Sequence, residues 1–148
     1  KLAEGDYVIG AARARKDAYV LSITENGYGK RTDPAEYREQ GRGGQGVIAM
    51  NLTDKTGLLA AQLMIAEDED ILLITDDGTI IRTAADSIRI CGRATQGVRL
   101  MRVGDGSRIV GVARAEKEDE DDETDAPENA AEESDAGEDV SAEPNEEI

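Results

Sequence analysis

The sequence predicts an all-β chain of short antiparallel strands, arranged in propeller-like, four-stranded blades, of which about two are present. Residues 19–52 and 70–103 superpose at a constant offset of 51 residues without a gap, and 13 of these 34 positions are identical. Each copy alternates β-rich segments with turn sequences, and four strands in roughly 50 residues are typical of one blade. Because such a unit cannot bury its apolar face alone, we expect the copies to stack.

The first two strands of each copy are predicted to form a hairpin. Both copies carry a short apolar segment rich in β-forming residues, followed by Glu25-Asn26-Gly27 or Asp76-Asp77-Gly78. Asn-Gly and Asp-Gly favour tight turns because these residues tolerate a positive φ. The predicted strands are 19–24 and 28–32 in the first copy, and 71–75 and 79–83 in the second.

Two further strands are predicted after a glycine-rich motif in each copy. The third strands are expected at 47–52 and 98–103, and the fourth at 58–64 and 109–113. An amphipathic helix over residues 58–65 is the alternative, but the equivalent segment of the second copy carries β-branched residues and Gly111. With four Tyr and no Phe or Trp, the core is expected to be aliphatic.

The charge is divided unevenly along the chain. Residues 1–115 contain 16 Lys and Arg against 16 Asp and Glu, whereas residues 116–148 contain 17 acidic residues and only Lys117 as a cation. A segment with so little apolar content cannot offset the entropy of ordering its backbone. We therefore expect a folded domain over 1–115 and a disordered acidic tail over 116–148.

Several classes of function lack the residues they need. The chain has no histidine and a single cysteine, Cys91, so neither a zinc cluster nor a Ser-His or Cys-His nucleophile is expected. No apolar run reaches the roughly 18 residues of a membrane span. We predict no catalytic residue, no metal site, no cofactor and no membrane partner for this segment.

The glycine-rich motif is the best candidate for function. Gln40-Gly41-Arg42-Gly43-Gly44-Gln45-Gly46-Val47 returns as Cys91-Gly92-Arg93-Ala94-Thr95-Gln96-Gly97-Val98. Glycines bring backbone N–H groups close to a partner, and arginine offers donors that suit phosphate oxygens. A tight connection between blades is an equal alternative on spacing alone. The return of Arg, Gln and Gly at one spacing favours phosphate contact.

Other cations recur at strand ends and could extend this motif into a curved cationic track that holds duplex DNA by its phosphates. Arg82 and Arg89 could instead pair with nearby carboxylates at Asp76, Asp77 or Asp86, as is common on solvated sheets. The candidate DNA-binding residues are Lys30, Arg31, Arg38, Arg42, Gly43, Gly44, Gln45, Arg82, Arg89, Arg93, Gln96, Arg99 and Arg102.

These motifs resemble the last repeats of the C-terminal domain of the bacterial DNA gyrase A protein family. The resemblance rests on residues 26–32, 41–47, 74–83 and 92–98 and covers residues 1–115. It implies a β-pinwheel that wraps duplex DNA on a basic rim and sets the handedness of the DNA crossing during ATP-dependent negative supercoiling. Gln40–Gly46 departs from the family's Gln-Arg-Arg-Gly-Gly-Lys-Gly box at Gly41 and Gln45, so we interpret it as a degenerate copy.

The resemblance also implies what lies elsewhere. The family's nucleophilic tyrosine follows an arginine, whereas the four tyrosines of this chain do not. ATP and Mg²⁺ are used by the holoenzyme, an A2B2 heterotetramer of two gyrase A and two gyrase B chains in the bacterial cytoplasm, at the nucleoid. Since the sequence starts at Lys1 and two blades cannot close a ring, we expect a piece of a longer polypeptide.

Two alternatives remain at this point. One is the C-terminal domain of the related A-type chain of topoisomerase IV, and the other is a propeller that binds protein partners. For the acidic tail, competition with DNA for the cationic track and a merely solubilising role are equally plausible hypotheses.

Overall fold

The computed structural model of the chain describes residues 2–117, which belong to one compact unit. Its secondary structure consists of strands and two single-turn 3-10 helices, which confirms the all-β prediction. Residues 2–17 precede the first strand and contain no helix or strand. The strands are β1 Tyr19–Thr24, β2 Tyr28–Thr32, β3 Leu59–Ile65, β4 Glu69–Thr75, β5 Ile80–Ala84, β6 Val98–Arg99 and β7 Ile109–Glu116.

The two predicted hairpins are present. In the first, β1 pairs with β2 and Ser22 lies opposite Lys30; in the second, β4 pairs with β5 and Leu72 lies opposite Arg82. Gly27 has φ of +82°, a conformation that a side chain disfavours, and this accounts for the glycine in the turn. The 3-10 helices Pro34–Glu36 and Ala85–Ser87 follow the hairpins at the same offset of 51 residues.

The fourth strands are also present and exclude the helical alternative for residues 58–65. β3 pairs antiparallel with β1, and β7 pairs antiparallel with β4. A register shift occurs in each pairing, between Ile23 and Thr24 in one sheet and between Ile74 and Thr75 in the other. The two copies therefore share a β-bulge as well as their strands.

The third strands differ from the prediction. Residues 47–52 form no strand, and residues 98–103 contribute only the two-residue strand β6. β6 pairs with β2 of the first copy, not with β5 of its own copy. The first sheet thus has four strands in the order β3-β1-β2-β6, and the second has three in the order β5-β4-β7. A four-stranded blade is completed by the next copy along the chain.

Both sheets share a single aliphatic core. Leu21 and Ile23 of the first sheet and Ile71 and Leu73 of the second are fully buried in one cluster, together with Ile65. Removing each such side chain from water contributes about 1.5–3 kcal/mol. The stacking expected from the repeat is therefore the packing of these faces against each other.

The turn that joins β4 and β5 makes a pH-dependent contribution to stability. Asp77 accepts hydrogen bonds from the Thr75 hydroxyl and, at 3.0 Å, from the Thr79 N–H, and these bonds lower its pKa from 3.8 to about 2. A carboxyl whose pKa is lowered on folding stabilises the fold above its unfolded pKa. This contribution disappears as the pH falls from 3.8 toward 2.

We expect Asp77→Asn to reduce the loss of melting temperature over that acidic range. Asparagine keeps an acceptor in place but does not titrate, and the first copy carries Asn26 at the equivalent position. Thermal unfolding of both proteins as a function of pH measures the difference. Asp105→Asn, at an exposed aspartate whose side chain makes no hydrogen bond within residues 2–117, is the control. An identical acid dependence in Asp77→Asn and the parent chain would contradict the assignment.

The acidic segment lies largely outside the described residues. Only Glu116, at the end of β7, and Lys117, which pairs with Asp86 at 2.8 Å, are placed. The predicted disorder of 116–148 and the competition hypothesis therefore stay predictions. Within residues 2–117, no helix has the length and apolar character needed to cross a membrane.

Candidate nucleic-acid interface

A cleft lined by three cations and by Asp105 lies at the junction of β2 and β6. Because β6 pairs with β2 so that Arg99 stands opposite Tyr28, the guanidinium lies 5.3 Å from the centre of the Tyr28 ring. Arg99 Nη2 donates to the Tyr28 hydroxyl at 2.8 Å. Lys55 Nζ lies 5.4 Å from the centre of the same ring, and Arg102 also lines the cleft. We call Tyr28, Lys55, Arg99 and Arg102 the junction cluster.

The junction cluster is suited to an anion. The hydrogen bond from Arg99, with the nearby positive charge of Lys55, lowers the pKa of Tyr28. Lys55, Arg99 and Arg102 are exposed, and within residues 2–117 none of them pairs with a carboxylate. Their charge is therefore available to phosphate oxygens, and the aromatic ring holds two of the cations in place.

Lys55 is a candidate that sequence reasoning missed. It lies in the turn before β3, and the Asn26 side-chain amide donates to the carbonyl oxygens of Asp54 and Lys55 at 3.3 and 3.2 Å. The hairpin turn of the first copy thereby fixes the position of Lys55. The equivalent turn of the second copy, Gly104-Asp105-Gly106-Ser107, carries no cation, so the repeat gave no signal for this residue.

Lys30 does not reach the surface. It is fully buried, and its ammonium donates to the carbonyl oxygens of Gly92, Arg93 and Thr95 at 2.7, 2.6 and 3.2 Å. Burial lowers the pKa of Lys30. This residue of the first copy therefore organises the glycine-rich turn of the second, and its charge is satisfied within the protein.

Arg31 is likewise internal. It is 4% exposed, its Nε donates to the Ile88 carbonyl oxygen at 2.7 Å, and its guanidinium lies 5.0 Å from the centre of the Tyr19 ring. One guanidinium nitrogen also lies 3.3 Å from Glu67. Arg31 thus joins the two copies, and the structure does not present its charge to a partner.

The two copies of the glycine-rich motif have different surroundings. In the first copy Arg42, Gly43, Gly44 and Gln45 are exposed, and the loop is closed by a 3.0 Å hydrogen bond from the Gly46 N–H to Gln40 Oε1. In the second copy the turn is docked against the first repeat, and Gln96 is half-buried. The Arg42 loop is therefore a surface loop, whereas the equivalent turn of the second copy is part of the contact between repeats.

Arg93 is held by backbone oxygens of the first copy. Its Nη1 donates to the Ile48 carbonyl at 2.6 Å and its Nε to the Glu36 carbonyl at 3.1 Å. Its backbone N–H donates to Glu36 Oε2 at 2.7 Å. Two of the five guanidinium donors are used by these bonds, so the side chain combines a connecting role with remaining capacity for an anion.

Arg82, a candidate for DNA contact, pairs with a carboxylate as its alternative interpretation proposed, although not with Asp76, Asp77 or Asp86. Its Nε lies 2.8 Å from Asp70 Oδ2, and it also donates to the Glu116 carbonyl oxygen. Asp70 lies across the β4-β5 hairpin from Arg82. Arg38 and Arg89 are exposed and make no ion pair within the described chain.

A second group of cations borders a cleft between residues 11–16 and β3. Glu69 accepts from Arg15 at 2.7 and 3.1 Å and lies 3.4 Å from Arg114, and the bond from Arg15 lowers the pKa of Glu69.

Within residues 2–117, the exposed cations without a carboxylate partner are Arg13, Lys16, Arg38, Arg42, Lys55, Arg89, Arg99 and Arg102.

The described residues offer no alternative site of metal chemistry. No group of three or more Cys, Asp or Glu side chains between residues 2 and 117 is placed to hold a metal ion.

Comparison with known families identifies the family to which this fold belongs. The family of the DNA gyrase C-terminal domain, described as a β-propeller, matches residues 18–61 and 69–116. The chain belongs to this family. The two matched stretches of the gyrase C-terminal domain correspond to the two repeats, which confirms the resemblance inferred from the motifs.

Curated relatives agree with the gyrase assignment. The DNA gyrase A protein of Escherichia coli strain K12 is 42% identical over 123 residues, which is 82% of this chain and 14% of the relative. The DNA gyrase A protein of Mycolicibacterium smegmatis is 41% identical over 117 residues, again 14% of the relative and 79% of this chain. The chain therefore spans about one-seventh of the length of the curated relatives it matches.

Solved structures agree as well. A DNA gyrase A C-terminal domain matches with a TM-score of 0.63 and 28% identity, over 66% of this chain and 33% of the other. The C-terminal domain of DNA topoisomerase IV matches with a TM-score of 0.72 over 78% of this chain and 36% of the other, at 22% identity, and so shows the fold alone. Gyrase is thus better supported than topoisomerase IV.

Proposed function

We propose that the chain binds duplex DNA through phosphate contacts, as part of the DNA-wrapping domain of a gyrase A protein. The junction cluster is the observation that carries this proposal, because it gathers three exposed cations without carboxylate partners in the described chain on one cleft. Contacts of this kind hold the backbone of a duplex with little dependence on base sequence. Arg38, Arg42 and Arg89 would extend the contact along the surface.

We further propose the activity and partners of the whole protein from its family. The chain would act within an ATP-dependent type II topoisomerase that introduces negative supercoils, assembled in the bacterial cytoplasm from two gyrase A and two gyrase B chains. The catalytic tyrosine, ATP and Mg²⁺ would belong to other parts of that assembly. Supercoiling of relaxed plasmid by the assembled enzyme tests this larger proposal.

We expect Lys55→Ala combined with Arg102→Ala to weaken binding evenly across duplex sequences. Each phosphate contact contributes about 0.9 to the slope of log affinity against log salt. If both residues contact phosphates, the slope becomes shallower by about 1.8. Binding of the full chain to unrelated duplexes over a range of salt concentrations measures both effects.

Arg108→Ala combined with Arg114→Ala is the matched control. These arginines are 62% and 49% exposed but already lie near carboxylates, Arg108 at 3.6 Å from Glu25 and Arg114 at 3.4 Å from Glu69. The control changes the net charge equally, and we expect it to leave the salt slope nearly unchanged. Equal losses of DNA affinity in the two double variants would mean that the junction cluster acts only through the net charge of the chain. A chain with no salt-dependent DNA affinity would favour the protein-binding propeller.

A further inference from the structure

The turn Gly92–Thr95 places backbone carbonyls on one side and N–H groups on the other. Lys30 Nζ lies within 3.2 Å of the carbonyl oxygens of Gly92, Arg93 and Thr95. In a trans peptide the C=O and N–H of one unit point in opposite directions. The amides of Arg93 and Ala94, which share peptide units with the first two carbonyls, therefore point away from the buried ammonium.

Two successive amides facing one way form an anion-binding concavity. The Arg93 N–H donates to Glu36 Oε2 at 2.7 Å, so an anionic oxygen already occupies this side of the turn. The Ala94 N–H makes no hydrogen bond within residues 2–117, and Ala94 is exposed. The turn thus has one amide engaged by a carboxylate and a neighbouring amide still open to an anion.

The surroundings favour a phosphate oxygen over a neutral ligand. Lys30 contributes a fixed positive charge behind the turn, and the Arg93 guanidinium is held beside it by the carbonyl oxygens of Glu36 and Ile48. The Glu36 carboxylate packs beside Gly92, since a Cβ built there would be in van der Waals contact with Glu36 Oε2 at 3.7 Å. A phosphodiester has two non-bridging oxygens that share one negative charge, and these could accept hydrogen bonds from both amides at once.

We propose that the outer side of the Gly92–Thr95 turn is a binding site for a DNA phosphate, and that Glu36 occupies it in the DNA-free chain. The inference rests on the proposed function for the identity of the ligand. Glu36 acts as an internal competitor that a phosphate displaces. The second copy of the motif therefore binds DNA through its backbone amides, whereas the first copy offers the exposed side chain of Arg42.

Glu36→Gln tests the proposal because glutamine can still accept from the Arg93 N–H but carries no charge. We expect the affinity of the full chain for a short duplex DNA to rise about threefold to tenfold, the difference between a charge-assisted and a neutral hydrogen bond. Glu39→Gln removes the same charge at an exposed residue without a side-chain hydrogen bond in the described chain. Its effect should stay within about twofold in moderate salt.

Titration of both variants and the parent chain with inorganic phosphate, followed by amide NMR, locates the site without DNA. We expect the Arg93 and Ala94 amides to shift, at lower phosphate concentrations in Glu36→Gln than in the parent. Unmoved Arg93 and Ala94 amides, or equal effects of Glu36→Gln and Glu39→Gln on affinity, would overturn the inference while leaving DNA binding intact. If neither the parent chain nor the two variants bind DNA, while the Arg93 and Ala94 amide signals still shift with phosphate, the proposed function is refuted but the anion site is not.

Discussion

Gly97→Ala is expected to destabilise the chain by about 3–4 kcal/mol. Gly97 directly precedes β6, where this strand docks on β2 in the described chain. Gly97 has φ of +73°, and a Cβ built on it would lie 2.5 Å from the Gly29 carbonyl oxygen. The clash is with backbone, so relief requires the strand to move away. Equilibrium urea unfolding measures the loss, and hydrogen exchange of the β2 amides should show where pairing is broken.

The first copy of the motif supplies the control. Gly46 is equivalent to Gly97 and has φ of +80°, but nothing lies within 4 Å of a Cβ built there. Gly46→Ala should therefore cost only the positive-φ penalty, about 1–2 kcal/mol. Asparagine tolerates a positive φ, so Gly46→Asn should be almost neutral while Gly97→Asn remains destabilising. Equal losses of stability at both positions would contradict the prediction, because they would mean that the close approach of Gly97 to Gly29 adds nothing to the positive-φ penalty.

Lys30→Met is expected to cost about 2–3 kcal/mol, although methionine is the more hydrophobic residue. The substitution leaves the carbonyl oxygens of Gly92 and Arg93, bonded to Lys30 at 2.7 and 2.6 Å, without this donor. It also releases a turn that belongs to the other repeat. The free energy of unfolding is the quantity to compare.

Lys55→Met is the matched substitution at an exposed lysine. Lys55 loses only its contact with the Tyr28 ring, for which about 0.5–1 kcal/mol is typical. A Lys30→Met chain as stable as Lys55→Met would indicate that water replaces the ammonium at the turn.

Local signals were enough to predict most of the strands. The Asn26-Gly27 and Asp77-Gly78 turns specify hairpins from neighbouring residues alone, and the strands on either side followed from their β-rich composition. Because the two copies align without a gap, a strand predicted in one repeat was also expected at the equivalent position of the other. The alignment also ranked a strand above a helix for residues 58–65, since Gly111 in the equivalent segment disfavours a helix.

The partner of the third strand depends on distant contacts, which composition does not encode. A closer comparison of the copies held one clue, because Gly29 on β2 is replaced by Ile80 on β5. A Cβ on Gly29 would lie 2.5 Å from the end of the Leu100 side chain and 2.6 Å from that of Ile23, so a larger residue there would require both side chains to move. Ile80 is 61% exposed, which fits an edge on which no strand is docked in residues 2–117.

The candidate site was predictable in kind but not residue by residue. Equivalent arginines took different roles, since Arg31 is buried between the copies while Arg82 lies on a sheet surface beside Asp70. Sequence alone did not show that Lys30 faces a ring of carbonyl oxygens. Burial of a cation depends on which loop covers it, and that loop lies about 60 residues away in the chain.

The pairing of β6 with the sheet of the preceding repeat affects how such a chain can gain or lose repeats during evolution. A repeat inserted between two others receives a strand from its successor and gives one to its predecessor, so gene duplication in steps of 51 residues leaves interior pairing intact. When repeats are gained or lost, any change in strand pairing is therefore confined to the ends of the array. Blade number is therefore open to drift, whereas the residues at each junction are not.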